Sequence, residues 1–398
     1  MRWREITLGS AIHIKHGFAF KSRYFADSGK YIVLTPGNFE EEGGFRLRPG
    51  KDRAYVGDIS ESFILAEGDL IIAMTEQGPG LLGSPAFVPE SDRFLHNQRL
   101  GLVDEVDLSI LSRRFLYYLF NTRAVRGQII GSASGTKVRH TSPERIYRVR
   151  VRVPTELHEQ EIIADILSAY DDLIENNRRR VALLEQAARM LYHEWFVRLH
   201  FPGHEHVKII NGVPEGWEKK HLEDVAEIIM GQSPKSKFYN EDGIGLPFHQ
   251  GVTNFGVRFP INTTYCTVEN RIAETGAILF SVRAPVGRIN ITLDKIVIGR
   301  GLAAIRSNCE QQNFLFYQLR SHFFKEDMMG GGAIFAAITK KDLQGVLLLT
   351  PSRRLVEMFQ EYVTPIDRQI EILHKALEQL KKARDLLLPR LMNGDIAV

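Results

Sequence analysis

The stretch GWEKKHLEDVAEIIMGQSPKSKFY, residues 216–239, has a counterpart near the beginning of the sequence, RWREITLGSAIHIKHGFAFKSRYF, residues 2–25. Both stretches contain a tryptophan, a leucine, a glycine and a Lys-Ser pair at the same spacing. These residues are Trp3, Leu8, Gly17 and Lys21-Ser22 in the first stretch, and Trp217, Leu222, Gly231 and Lys235-Ser236 in the second. The repeat predicts a chain built from two related halves.

The correspondence continues along both halves. Each half has a turn, a buried strand and a Gly/Pro loop, then an apolar helical patch, a glycine-containing loop, and a short strand that ends at a proline. The paired segments are 66–87 and 273–291, FLYYLF at 115–120 and FLFYQL at 314–319, the loops that begin at Gly131 and Gly330, and the strands that end at Pro154 and Pro351. The sequence therefore predicts two pseudo-symmetric α/β domains.

A long helical stretch follows each of these prolines. Apolar residues recur in an alternating step of four and three, which is the heptad pattern of a coiled coil, although a merely amphipathic surface helix is the alternative. Pro365 should kink the second helix or begin a new one. The core positions are Ile163, Leu167, Tyr170, Ile174, Asn177, Val181, Leu184, Ala188, Leu191 and Trp195 in the first helix, and Ile370, Leu373, Leu377, Leu380, Arg384, Leu387 and Leu391 in the second.

Two of these core positions are polar, Asn177 and Arg384. A polar residue in a coiled-coil core lowers stability but can fix the register of the helices. The alternative is that either residue lies at the edge of an imperfect apolar stripe.

We expect an α+β fold in which two recognition domains are held apart by two long antiparallel coiled-coil helices. The predicted boundaries are 1–153 for the first domain, 154–199 for the first helical region, 200–215 for a linker, 216–350 for the second domain and 351–398 for the second helical region. A helix of about forty residues would span roughly 60 Å at 1.5 Å per residue.

Composition is that of an ordinary globular protein, with 44% hydrophobic and 25% charged residues among 398. No apolar run approaches the ~20 residues of a membrane helix, and no signal peptide is recognisable. Cys266 and Cys309 are the only cysteines, which excludes a disulfide framework or a zinc cage. These features predict a cytoplasmic protein that does not associate with membranes.

The net charge of +3 is mild, but the basic residues are unevenly distributed. Between Arg123 and Arg152 eight basic residues accompany a single acid, Glu144. Such an excess is typical of a surface that contacts phosphates, although a solvated strand and helix face would show the same charge.

The order of motifs resembles that of the specificity subunits of type I restriction-modification systems. The motifs that carry the resemblance cover essentially the whole chain, and they match best in the second half. The first half diverges, because GFAFKS stands in place of the Gly-Gln-Ser-Pro motif and no RAPVG motif is present. The matching segments are PEGWEKKHLEDVAEIIMGQSP from Pro214, LPFHQG from Leu246, SVRAPVGRINI from Ser281, IGRGLAAIR from Ile298, ARDLLLPRLMNGDI from Ala383 and YHEWFVRLHFPG from Tyr192.

That resemblance implies a specific set of partners. A subunit of this family binds double-stranded DNA at a bipartite target and two copies of a modification subunit, which together form an adenine-N6 methyltransferase. A motor-nuclease restriction subunit, where one exists, makes the complex an ATP-dependent restriction enzyme. No cofactor is expected on this chain, while S-adenosylmethionine, ATP and Mg are expected on the partners. The helical regions are expected to contact the modification subunits.

Catalytic motifs are missing from the sequence itself. The Asn/Asp-Pro-Pro-Tyr motif of amino-methyltransferases is absent. No phosphate-binding P-loop is present, because GSASGTK at 131–137 has the wrong spacing. His200, His204 and His206 suggest a metal site only weakly, since they lie in a predicted linker without a fourth ligand. We therefore expect a non-catalytic chain without a metal.

Candidate DNA contacts are the polar residues of the predicted loops. Arginine pairs well with guanine and glutamine with adenine, whereas lysine, serine and loop amides suit phosphates. Each candidate could equally be a turn residue or a surface charge. The candidates are Lys21, Ser22, Arg23, Gln77, Gln98, Arg99, Lys137, Arg139 and His140 in the first domain, and Gln232, Ser233, Lys235, Lys237, Gln250, Arg283, Arg300, Lys340 and Lys341 in the second.

Two other classes of function remain open at the level of sequence. A coiled-coil scaffold with globular heads that bind protein or another non-DNA ligand would show the same alternation of domains and helices. A stand-alone nuclease or methyltransferase is disfavoured by the missing motifs.

Overall fold

Contacts divide the chain into two units, one formed by Met1–Asn177 with Ala376–Val398 and the other by Arg178–Lys375. The structure is a computed structural model and describes residues 1–323 and 337–398. The loop that the sequence places after Gly330 therefore lies outside the described residues as far as Ala336.

The first unit contains three small sheets and five α-helices or parts of α-helices, of which the fifth is the end of α8 (Arg353–Asn393). Its strands are β1 (Trp3–Thr7), β2 (Ile12–His16), β3 (Phe25–Ala26), β4 (Tyr31–Val33), β5 (Ala54–Tyr55), β6 (Leu70–Ala73), β7 (Thr75–Glu76), β8 (Pro85–Phe87), β9 (Phe94–Leu95), β10 (Leu100–Val106), β11 (Arg139–His140) and β12 (Arg150–Pro154), and its helices are α1 (Arg113–Phe120), α2 (Arg123–Gly131), α3 (Pro143–Tyr147) and the first part of α4 (Leu157–Tyr192). The pair β7 and β11 adds a further short ladder to these sheets.

The second unit has a similar set of elements, with additional short strands. Its strands are β13 (Ile209–Ile210), β14 (Val213–Pro214), β15 (Glu218–His221), β16 (Ala226–Met230), β17 (Tyr239–Asn240), β18 (Leu246–His249), β19 (Tyr265–Cys266), β20 (Ile272–Ala273), β21 (Ile278–Ser281), β22 (Ile289–Ile291), β23 (Ile296–Ile298), β24 (Leu302–Ser307) and β25 (Leu347–Thr350), and its helices are the rest of α4, α5 (Leu222–Val225), α6 (Gln312–Phe323), α7 (Lys340–Gln344) and the first part of α8 (Arg353–Asn393).

Strand order is the same in the two units. The central antiparallel sheet has the order β2-β10-β6-β8 in the first unit and β16-β24-β21-β22 in the second. The pairs β1-β12 and β15-β25 correspond. The sheets β3-β5-β4-β9 and β17-β19-β18-β23-β20 also correspond, each with one parallel pair, and the second has β20 as an additional edge strand. The inner strands β6 and β21 are buried at every residue, which explains their continuous apolar sequence. The predicted pseudo-symmetry is confirmed.

Both long helices contribute to the core of each unit. In the first unit, Ile163 and Leu167 of α4 lie in one buried cluster with Leu391 of α8. In the second, the Trp195 ring, just beyond α4, lies 6.0 Å from that of Phe359 in α8. Residue numbers rise along α4 as those of the contacting residues fall along α8, so the helices pack antiparallel, as predicted.

Helix α8 is continuous through Pro365. The alternative that a new helix begins at this proline is therefore wrong. Pro365 and Glu361, whose carbonyl loses its helical partner because proline has no N–H, both lie on the exposed side of the helix. Water can therefore satisfy the freed carbonyl group, which makes an interior proline tolerable here.

A tryptophan packs at the beginning of each half. Trp217 is 9% exposed and packs against Phe196 and Phe201. Trp3 is half-buried, and its indole lies so close to Gly394 that any side chain at that glycine would clash with it. None of the helices in the described residues is long and apolar enough to cross a membrane.

Candidate nucleic-acid interface

Four loops of the first unit meet at one edge of the central sheet, where β2 and β6 end and β10 begins. Backbone hydrogen bonds join them in a row. The amide of Phe18 donates to His96 O (2.8 Å), the amide of Met74 to Arg99 O (2.9 Å), and the amide of Thr141 to Met74 O (3.0 Å). This row carries most of the residues that sequence predicted for the first domain.

Equivalent hydrogen bonds form the same row in the second unit. The amide of Gln232 donates to Ile298 O (3.0 Å), that of Val282 to Gly301 O (3.0 Å), and that of Ile338 to Val282 O (2.9 Å). Position by position, Gln98 of the first row corresponds to Arg300 of the second.

A glycine is required at the start of each row. A Cβ at Gly17 would clash with the carbonyl oxygen of Asn97, and a Cβ at Gly231 would clash with that of Gly299. The backbones therefore approach to a distance that only glycine permits. This explains why the repeated stretches share this glycine while their neighbouring residues differ.

Most first-unit candidates are exposed at this edge, but one is already paired. The guanidinium of Arg139 lies 2.6 Å from Glu76 Oε1, whose side chain is 1% exposed. Glu76 Oε2 also accepts the amides of Leu81 and Leu82. Arg139 thus compensates a buried carboxylate, whereas His140 Nδ1 lies 3.2 Å from Thr75 Oγ1. The exposed candidates are Lys21, Ser22, Arg23, Gln77, Gln98, Arg99, Lys137 and His140.

The basic cluster between residues 123 and 152 is not a single free patch. Arg126 donates to the carbonyls of Glu41 and Gly80, and burial lowers the pKa of its guanidinium to about 10. Arg145 donates to Ser134 Oγ (2.9 Å). Only part of the local positive charge therefore remains available to an anionic partner.

Three second-unit candidates are linked around one serine. Ser233 Oγ donates to Gln250 Oε1 (2.8 Å) and accepts the backbone amide of Arg300 (3.1 Å). All three line a surface cleft of about 670 Å³ together with Tyr239, whose ring stacks on that of Phe248 at 4.4 Å. The cleft therefore brings a glutamine and an arginine together on loops that the two hydrogen bonds of Ser233 join.

The other second-unit candidates are exposed around this cleft and row. Arg283 follows Val282 in the row and pairs through its backbone with Ala337. Lys340 and Lys341 begin α7, whose N-cap is Thr339. The remaining exposed candidates are Gln232, Lys235 and Lys237.

Two buried histidines lie beneath the rows and were not predicted. His96 Nε2 bonds to Leu100 O (3.0 Å), and burial lowers the pKa of its imidazole to about 4. Burial also lowers the pKa of His249, whose Nε2 lies 2.9 Å from Asn262 Oδ1. Both rings are therefore neutral at neutral pH and support the loops rather than contact anions.

An ion cluster joins the second domain to both long helices and was also missed. Arg258, 3% exposed, donates to Glu185 of α4 (3.0 Å) and to Asp367 of α8 (2.6 Å). Tyr317 of α6 donates to Asp367 (2.6 Å), and Arg320 to Glu185 (2.9 Å). The cluster fixes the domain to the helices within this unit.

The first unit has a corresponding but more open arrangement. Arg384 of α8 donates to Asp171 of α4 (3.0 Å) and to Glu42 of the domain (2.8 Å). Tyr118 of α1, which corresponds to the tyrosine of α6, donates to the same Asp171 (2.8 Å). Arg384 therefore links both helices. Asn177 is half-buried, and its role in fixing the register of the helices stays a prediction.

Within the described residues, no group of three or more histidine, cysteine, aspartate or glutamate side chains is arranged to hold a metal. His200 and His204 lie with ring centroids 5.5 Å apart, and His200 contacts Glu194 at 3.2 Å. These contacts fit a polar connector.

Comparison with known proteins decides the family. The model of the type I restriction modification DNA specificity domain matches residues 1–186 and again residues 214–382. The chain belongs to this family. Its two matches coincide with the two structural repeats. Membership of this family implies that the chain takes part in the recognition of a DNA target.

Named relatives agree with this assignment. A putative type I restriction enzyme MjaX specificity subunit of Methanocaldococcus jannaschii is 34% identical over 362 residues, covering 87% of this chain and 80% of the relative. The HindI specificity subunit of Haemophilus influenzae is 25% identical over 378 residues, covering 74% and 80%. The S subunit of a type I restriction-modification system from M. genitalium has the same fold, with a TM-score of 0.63, 17% identity and coverage of 98% and 96%.

Proposed function

We propose that this chain recognises a bipartite DNA target, with one half-site read by the loop row of each unit. The duplicated row carries the proposal, because it presents two similar platforms with different side chains. Glutamine offers a donor and an acceptor that match adenine, and arginine offers two donors that match guanine. The exchange of Gln98 for Arg300 at equivalent positions is therefore expected to give the two units different base preferences.

The chain is proposed to act without a catalytic site of its own. Its sequence lacks both the amino-methyltransferase motif and a P-loop. We assign base methylation, with S-adenosylmethionine, to two modification subunits, and ATP- and Mg-dependent cleavage to a restriction subunit. The specificity subunit would position these partners on the DNA.

Alanine variants in the second row test the proposal. Arg283→Ala or Arg300→Ala, each coexpressed with the modification subunit, should relax the sequence preference at one half-site, with a loss of about 1–3 kcal/mol of discrimination for a lost bidentate base contact. Methylome sequencing of the host reads both half-sites at once, so the unchanged half serves as an internal control. Retention of the parent sequence by both variants would refute this placement of the second half-site.

A coiled-coil scaffold with non-DNA ligands predicts a different result. DNA recognition requires an affinity that falls steeply with salt and a preference for one duplex sequence. A complex that binds all duplexes equally, or none, would favour the scaffold.

A further inference from the structure

One turn recurs in both units with the same sequence pattern and the same geometry. The segments Lys21–Phe25 and Lys235–Tyr239 both read lysine, serine, a basic residue and two aromatic residues. In the first turn the amide of Tyr24 donates to Lys21 O, and in the second the amide of Phe238 donates to Lys235 O, both at 3.1 Å. Both segments therefore form the same 3₁₀ turn.

The cations of this turn are held by aromatic rings instead of by acids. Arg23 lies 4.7 Å from the centroid of the Tyr24 ring, and Lys237 lies 5.0 Å from that of Phe238. Within the described part of the chain, neither these residues nor Lys21 and Lys235 form an ion pair. Their positive charge is exposed and uncompensated.

Each turn lies directly beside a loop row. In the second unit, Ser236 and Tyr239 line the cleft that also contains Gln250 and Arg300. In the first, Phe18 of the row lies three residues before Lys21, and its ring centroid is 5.3 Å from that of Phe20. A ligand seated on the row would meet the turn.

The repeat itself separates two kinds of contact. Two half-sites of different sequence cannot be distinguished by residues that are the same in both units. Phosphates, by contrast, occur at every position of every duplex, so their contacts carry no sequence information.

We propose that the two Lys-Ser-basic-aromatic turns hold DNA phosphates and that base discrimination lies in positions that differ between the rows, such as Gln98 and Arg300. This inference rests on the proposed function and deepens it. Each turn supplies two cations, and each phosphate contact contributes about 0.9 to the slope of log affinity against log salt, so one turn contributes a slope of about 2.

Paired neutral variants of the full complex with its modification subunits provide the test. Lys21→Gln with Arg23→Gln removes both positive charges of the first turn, and Lys235→Gln with Lys237→Gln removes those of the second. The control is Lys208→Gln with Lys219→Gln in the linker and β15, since these lysines are also exposed but belong to neither the row nor the turn. The probes are a duplex carrying the site found by methylome sequencing and the same duplex with that site scrambled.

Each turn variant should lose affinity for both duplexes by the same factor, about tenfold, while its salt slope falls by about 2 and its methylated sequence stays unchanged. The control should bind like the parent protein. A changed methylated sequence, or a loss confined to the specific duplex, would show base reading by the turn and overturn the assignment. Unchanged affinity would exclude contact. A parent complex without sequence preference would instead remove the proposed function, and this inference with it.

Discussion

Replacing Arg258 by methionine removes the cation that two buried carboxylates share. Glu185 has a side chain 4% exposed and Asp367 one 11% exposed, so water cannot replace the guanidinium. Glu185 keeps its ion pair with Arg320, but Asp367 loses the cation that compensates its charge. Removing one partner from a buried ion pair costs about 3–5 kcal/mol. For a unit of about 200 residues, each kcal/mol lowers Tm by about 2–4 °C, which predicts a decrease of about 6–20 °C.

The loss should depend on pH with a defined sign. Burial already raises the pKa of the Asp367 carboxyl, so between the pKa of the unfolded state and that of the folded state the folded protein binds more protons than the unfolded one. Stability from this group is therefore present at low pH and lost as pH rises through the folded pKa. Removal of Arg258 raises that pKa further, so the deficit of the variant should be larger at pH 8 than at pH 5.

Scanning calorimetry at both pH values measures these shifts. A second variant, Arg258→Met with Asp367→Asn, should recover much of the loss, because position 367 no longer carries a charge while Glu185 keeps its ion pair with Arg320. The control is Arg353→Met, which breaks an exposed pair with Glu357 and should leave Tm unchanged. A Tm decrease below about 2 °C for Arg258→Met at pH 8 would refute the reasoning.

Two further predictions concern the first unit. Arg384→Met should cost about 1–2 kcal/mol by urea denaturation, less than the Arg258 variant, because its partners Asp171 and Glu42 are 29% and 69% exposed; an equal or larger loss would contradict the role of burial. Because the folded pKa of His96 is depressed to about 4, its neutral form contributes up to about 3 kcal/mol that is present above pH 6.5 and lost as pH falls to 4. His96→Gln should therefore lose stability relative to the parent at pH 7.5 but approach it near pH 4.5 in the same assay, and a difference independent of pH would contradict this assignment.

Sequence was most informative where a local pattern sets the structure. The repeated glycines Gly17 and Gly231 mark positions that only glycine can occupy, so the repeat pointed to equivalent loops. Heptad spacing pointed to the long helices because side-chain burial along a helix follows that period. The expectation that a new helix begins at Pro365 was wrong, because an isolated proline is tolerated in a helix where the carbonyl that loses its hydrogen bond faces water.

Sequence was least informative where function depends on distant partners. Arg258 pairs with Glu185 and Asp367, which are separated from it by 73 and 109 positions in the sequence. No periodic pattern in the sequence predicts contacts at such separations. Arg139 looked like a free cation because a count of charges does not reveal the buried Glu76 beneath it. Tyr118 and Tyr317 did leave a signal, since they occupy the same position of the repeated segments at 115–120 and 314–319, and each donates to an aspartate of a long helix.

The first unit is discontinuous in the chain, and this affects the order in which the protein can fold during synthesis. Residues 178–375 are contiguous, whereas the core around Ile163 and Leu167 lacks Leu391 and Met392 until translation has passed them. The first unit therefore keeps part of its apolar core exposed until synthesis is nearly finished. The second unit can complete its core earlier, because all its residues are contiguous. A chain truncated after Lys375 would consequently lack part of the core of the first unit, although it is the second unit that ends at the truncation and would keep all its residues.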